Sequence, residues 1–231
     1  RGGLKIKTTI NLKNQEMAEI AFKNEIIKMR EKMGNLANGG MIVLKTTTGE
    51  IKCIIGGIDF HQSQFNRAFQ AYRQIGSSFK PILYALALKS GFDMNDVFVD
   101  EPMEIPQPNG KVWKPKNWTD DFEGPMTLLK ALTFSNNIVT IKLMLNIGIE
   151  KLVDWIKLFG ITSKLAPYDS SALGTTVATT VENAAAFNIF ANNGVYVEPH
   201  LISWVRDHSG KKIWEHTRKQ HRVLDSKTNS K

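Results

Sequence analysis

A serine and a lysine, Ser77 and Lys80, stand at the head of an apolar run, Ile82 to Leu88, that stops at Gly91. The run is apolar on nearly every side, which predicts a buried helix beginning at Ser77 and ending near Lys89, with Gly91 as its stop. Pro81 falls in the first turn, where a missing N–H costs little. A spacing of three puts Ser77 and Lys80 on one helix face. A serine hydroxyl is a poor nucleophile until a neighbour takes its proton. A lysine amine buried among groups such as Phe79, Pro81 and Ile82 can do so, because desolvation disfavours its charged form. Gly76 leaves room for a backbone or a substrate to approach. The helix N-terminus offers N–H groups and a positive dipole end to a developing oxyanion.

The pattern Ser-x-x-Lys says little by itself, since Ser209 and Lys212 repeat it in a polar turn with nothing to bury the lysine. The flanks carry more. Asn66-Arg67-Ala68-Phe69-Gln70-Ala71-Tyr72-Arg73-Gln74-Ile75-Gly76-Ser77-Ser78-Phe79-Lys80-Pro81 resembles the active-serine region of class A penicillin-binding proteins. Ile75 is the visible departure, standing where that family usually has proline. Further on, Ser135 and Asn136 taken by themselves suit helix N-caps. The stretch Gly124 to Asn137, however, is similar to the family's second motif and its lead-in. Gly2 to Ile10 resembles the family's entry strand. Leu173-Gly174 before a helix ending in Asn192-Asn193-Gly194 resembles a third region, with Asn193 in place of a glycine.

The resemblance implies an α+β fold of the penicillin-recognising serine enzymes, with an antiparallel sheet flanked by helices and an all-helical subregion. It implies that Ser77, deprotonated by Lys80, attacks the D-Ala–D-Ala bond of a peptidoglycan stem peptide. Ser135 would relay protons to the leaving amine, and Asn137, with Gly76 nearby, would receive the peptide. β-Lactams would acylate Ser77 as substrate mimics, and no cofactor or metal is implied. A membrane anchor, a glycosyltransferase domain and an extracytoplasmic location are expected of the parent chain. The family's Lys-Thr/Ser-Gly motif is not found. Lys227-Thr228-Asn229 has asparagine where glycine is required, and the motif is expected some tens of residues beyond Lys231. A catalytically incomplete fragment and a β-lactam-binding sensor module therefore stand as alternatives. A serine β-lactamase would need a glutamate placed to activate water, and no motif supplies one.

The elements that must position these residues follow from periodicity. An entry strand is expected in 1–12, a helix over 13–34 and a hairpin over 41–57. An active-site helical region over 77–160, strands over 195–216 and a basic tail over 217–231 complete one partial transpeptidase domain. Met17, Ile20, Ala21, Ile27 and Met33 form the stripe of the first helix. Pro102, Pro106, Pro108 and Pro115 exclude a long helix from Phe92 to Gly124. Trp113, Trp118 and Phe122 are expected to pin that loop. Val195 to Val205 reads as one strand interrupted at Pro199, and the tail reads equally as a frayed end or a contact for anionic polymer or lipid.

The formal charge of +8 points to an anionic partner. Nucleic acid is the weakest candidate, because no helix-turn-helix, aromatic RNA-binding signature or zinc-finger spacing is present. The single cysteine, Cys53, excludes an internal disulfide. The five histidines, His61, His200, His208, His216 and His221, lack metal-ligand spacing. No run is long and apolar enough to span a membrane.

Overall fold

A computed structural model describes residues 3–107 and 110–230. The chain forms two compact units. One comprises Arg1–Arg73 and Ala178–Val223, the other Gln74–Val177 and Leu224–Lys231. The architecture is α+β, and six of its strand pairs are antiparallel.

In the first unit, strand Lys5–Thr8 pairs with Ile202–Arg206, which pairs in turn with Lys212–Glu215. Met41–Leu44 and Ile51–Ile55 form the expected hairpin. Cys53 lies on its fully buried side with Ile51 and Ile55. The helix Leu12–Met33 is capped by Asn11, whose side chain accepts from Asn14 N at 3.0 Å. Its expected stripe is wrong. Met17, Ile20, Ile27 and Met33 are exposed, and the buried residue is Ile26. The packed face is set by Gln15, whose amide makes two 2.9 Å hydrogen bonds with the Ile54 backbone, and by Phe22 and Ile26. Those three residues share one side of the helix at 100° per residue, opposite Met17 and Ile20.

Val195 to Val205 is two strands in two sheets. Val195–Val197 pairs with Gln220–Arg222, while Ile202–Arg206 joins the three-stranded sheet. Pro199 has no N–H to extend the first ladder, and the chain changes partners there. The tail is tied down rather than frayed. It supplies strand Gln220–Arg222, and Val223 and Leu224 are buried at its end. Their apolar signal is short and surrounded by charge.

The second unit is built on three helices, Lys80–Lys89, Asn137–Ile147 and Ile149–Leu158. Ile82 through Ala87 are all buried, as the unbroken apolar run requires. Each of Ile82 and Leu83 contributes roughly 1.5–3 kcal/mol by leaving water. Trp155 Nε1 donates to Ile82 O at 2.9 Å, which ties the third helix to the first. The irregular segment before Gly124 contains short strands. Val97–Asp100 pairs with Gly124–Thr127, and Ile105–Pro106 pairs with Val112–Trp113. Pro108 lies outside the described residues. Trp118 does not pin this segment, being 99% exposed. Its neighbour Asn117 turns inward instead.

Candidate active site

Gly76 opens the site. Its φ of +53° lies in the left-handed region that a side chain disfavours. A 3-10 turn, Gly76–Phe79, follows, and the α-helix proper begins at Lys80 rather than at Ser77. The two join without a break, since Lys80 N donates to Ser77 O. The tight turn sets the two side chains in opposite environments. Ser77 is exposed, whereas Lys80 is 1% exposed.

The segment facing Gly76 is Gly174–Thr176. Gly76 N donates to Gly174 O at 3.0 Å and Ile75 N to Thr176 O at 3.2 Å. A Cβ on Gly174 would sit 2.1 Å from Gly76 O. Glycine is therefore required at position 174, which also has φ +73°. This contact was not readable from sequence spacing.

Lys80 points into the link between helices Leu128–Thr133 and Asn137–Ile147. Its Nζ donates to Ser135 O at 2.5 Å, Ser135 Oγ at 3.0 Å, Asn137 Oδ1 at 2.8 Å and Asn136 O at 3.3 Å. Ser135 is not an N-cap. It adopts φ +55° between the two helices, which turns its carbonyl and hydroxyl to the lysine. Asn136 is the N-cap, accepting from Val139 N at 2.9 Å. Thr140 Oγ1 donates to Asn136 O at 2.6 Å and lies 3.3 Å from Tyr84 Oη, so a buried polar chain runs behind the lysine.

Burial lowers the Lys80 pKa to about 8, and burial likewise raises that of Tyr84 to about 12. Near neutrality the amine is thus a group able to exchange a proton with a hydroxyl. Tyr84 stays protonated, with its hydroxyl beside that of Thr140. Among the described residues no cluster of three or more His, Cys, Asp or Glu side chains is arranged to hold a metal ion.

Three sequence-derived candidates, Lys80, Ser135 and Asn137, meet at this point, while Gly76 and the exposed Ser77 lie in the turn that leads into Lys80. Two residues outside the motifs join them. Asn117 Oδ1 accepts from Asn137 N at 3.0 Å, and Asn117 Nδ2 donates to the buried Asp100 carboxylate at 2.9 Å. Neither belongs to a recognisable pattern, and Asn117 precedes Asn137 by 20 residues. Lys227-Thr228-Asn229 lies in a short helix, Ser226–Asn229, with Thr228 bonded to Asp225.

Residues 39–231 match the family model of the penicillin binding protein transpeptidase domain. Penicillin-binding protein 1A of Neisseria meningitidis is 37% identical over 209 residues, covering 86% of this chain and 26% of that protein. Its counterpart in Pseudomonas aeruginosa is 38% identical over 217 residues, with 87% and 26% covered. The crystal structure of penicillin-binding protein 1A from Haemophilus influenzae is 35% identical with a TM-score of 0.74, covering 79% of this chain and 28% of that one. The imipenem acyl-enzyme complex of penicillin-binding protein A from M. tuberculosis is 20% identical and shares the fold, with a TM-score of 0.82 over 99% of this chain and 61% of that one. The chain spans about a quarter of the length of the curated relatives it matches.

Proposed function

Because this chain belongs to the penicillin-binding protein transpeptidase family, we propose that it carries the acyl-transfer centre of a peptidoglycan D,D-transpeptidase. Ser77 is the nucleophile and Lys80 its base. One observation carries the reading: an exposed serine one helical turn from a lysine that is 1% exposed and held by Ser135 and Asn137.

The Ser77 hydroxyl passes its proton to the neutral Lys80 amine as Oγ bonds to the carbonyl carbon of the penultimate D-Ala. The carbon–nitrogen bond to the terminal D-Ala breaks. The Lys80 proton, relayed by the Ser135 hydroxyl, goes to that departing amine. An ester to Ser77 remains. The amine of a second stem peptide then attacks the ester carbon, gives its proton back toward Lys80, and frees the serine hydroxyl. Asn137 presents an amide N–H to the stem peptide, and the left-handed Gly76 leaves the approach to Ser77 open. A β-lactam is cleaved at its ring amide by the same attack and stays on Ser77, since its leaving amine remains tethered.

The whole protein is proposed to act outside the cytoplasm beside a membrane, with a glycosyltransferase domain, as the resemblance to class A penicillin-binding proteins implies. No described helix is long and apolar enough to cross a membrane. The test is labelling of the full-length protein with a fluorescent penicillin, followed by intact mass and peptide mapping. A single adduct on Ser77 that Ser77→Ala abolishes is expected. An unlabelled wild-type protein, or an adduct that survives Ser77→Ala, overturns the assignment.

A further inference from the structure

Asp100 is a fully buried carboxylate, 1% exposed, that the acyl-transfer chemistry does not use. It ends strand Val97–Asp100, and no ion pair reaches it among the described residues. N–H donors hold it instead. Asn117 Nδ2 lies 2.9 and 3.1 Å from its two oxygens, and Glu123 N lies 3.0 Å from Oδ2. A carboxylate taken out of water without a cation needs such donors, and it can only accept.

That requirement orients Asn117. Its NH2 must face Asp100, and it also reaches Asp121 O at 3.0 Å. Its Oδ1 must then face away, toward the start of helix Asn137–Ile147. There it accepts from Asn137 N at 3.0 Å and Ile138 N at 3.4 Å. These are first-turn N–H groups with no partner inside the helix. Asn136 caps Val139, so the two asparagines divide the helix end between them. The next residue back completes the clamp. Lys116 O accepts from Asn137 Nδ2 at 2.8 Å, which leaves Asn137 Oδ1 turned to Lys80 Nζ at 2.8 Å.

We propose that Asn117 and Asp100 are positioning residues for the transfer reaction: the buried carboxylate orients Asn117, and Asn117 with the Lys116 carbonyl locks the Asn137 amide onto Lys80. The inference rests on the transpeptidase reading above. A loop staple alone would need neither a buried carboxylate nor a contact with the motif asparagine. Lys80 Nζ is hydrogen-bonded to Ser135, Asn136 and Asn137, none of them ionised, and burial is the cause of its lowered pKa. Any change in its titration therefore reports on those contacts.

The test measures acylation of the full-length protein by a penicillin from pH 6 to 10, for wild type, Asp100→Asn, Asn117→Asp and the double variant, with folding followed by circular dichroism. Asn117→Asp sets two carboxylates against each other. The double variant restores one amide opposite one carboxylate and keeps an acceptor for Asn137 N. The saturating acylation rate of Asn117→Asp is expected to fall on the order of 10–100-fold through misplacement. Its pH inflection is expected to move away from the wild-type value, because both the Asn137 contact to the amine and the charge at that helix end change. The double variant is expected to recover most of both. If the single variants keep the wild-type rate and inflection, or if the double variant is no better than Asn117→Asp, the positioning role is wrong. A wild-type protein that takes no label at Ser77 instead sinks the transpeptidase reading itself.

Discussion

Lys80 Nζ lies 2.8 Å from Asn137 Oδ1, although 57 residues separate them and they sit on different helices. This bond joins the two motifs into one site, and the Ser135 hydroxyl adds a third member at 3.0 Å.

The first prediction concerns pH. Burial holds the Lys80 pKa at about 8. In the proposed mechanism only the neutral amine accepts the Ser77 proton, so acylation is expected to be lost as pH falls through that value. On the order of a tenth of the lysine is neutral at pH 7 and about nine-tenths at pH 9. The acylation rate is expected to rise roughly tenfold over this interval and then level off. Stopped-flow measurement with a penicillin checks it, and a rate flat from pH 6 to 9 would remove Lys80 as the base.

Ser135 separates chemistry from strain. Its φ of +55° costs a non-glycine residue about 1–2 kcal/mol. Ser135→Gly is expected to relieve part of that cost, while Ser135→Ala retains it. Both lose the hydroxyl, and both are expected to slow acylation about 10²-fold or more. Thermal unfolding and acylation kinetics on the same pair give the answer. Wild-type rates in Ser135→Ala would rule out the proton relay.

Gly174 and Gly210 make a matched comparison. Both have positive φ, at +73° and +88°, but a Cβ meets Gly76 O at 2.1 Å only at position 174 and open space at 210. Gly210→Ala is expected to cost about 1–2 kcal/mol. Gly174→Ala is expected to cost roughly 1–3 kcal/mol more, because the turn before Ser77 must shift. Denaturant unfolding measures both, and equal losses would mean that the Gly76–Gly174 contact yields freely.

Trp118 is 99% exposed beside the inward-facing Asn117. Trp118→Ala is expected to leave stability within about 0.5 kcal/mol of wild type. A larger loss by thermal unfolding would restore the aromatic anchor that the sequence suggested.

Two clues in the chain order alone were sufficient for much of this. The apolar run Ile82–Leu88 specified a buried helix, and the residue order put Lys80 at its start, with Ser77 in the 3-10 turn just before it. Gly91 was legible as the stop of that helix for the same reason. These signals are local: a side chain meets a backbone group within one or two turns, so residue order suffices. The flanking residues of both motifs were enough to identify the family.

Tertiary structure decided what depends on distant partners. Met17 and Ile20 are as apolar as Phe22 and Ile26, and only the docking of Gln15 on Ile54 determines which side faces the strand. Asn117 and Trp118 are adjacent, and composition favoured the aromatic as the anchor. The buried Asp100 and the open helix end at Asn137 chose the asparagine. The low Lys80 pKa is likewise a property of enclosure. Sequence supplied a lysine one turn from a serine, and the packing of separate helices around it removed the water that would otherwise hold its pKa at the ordinary lysine value.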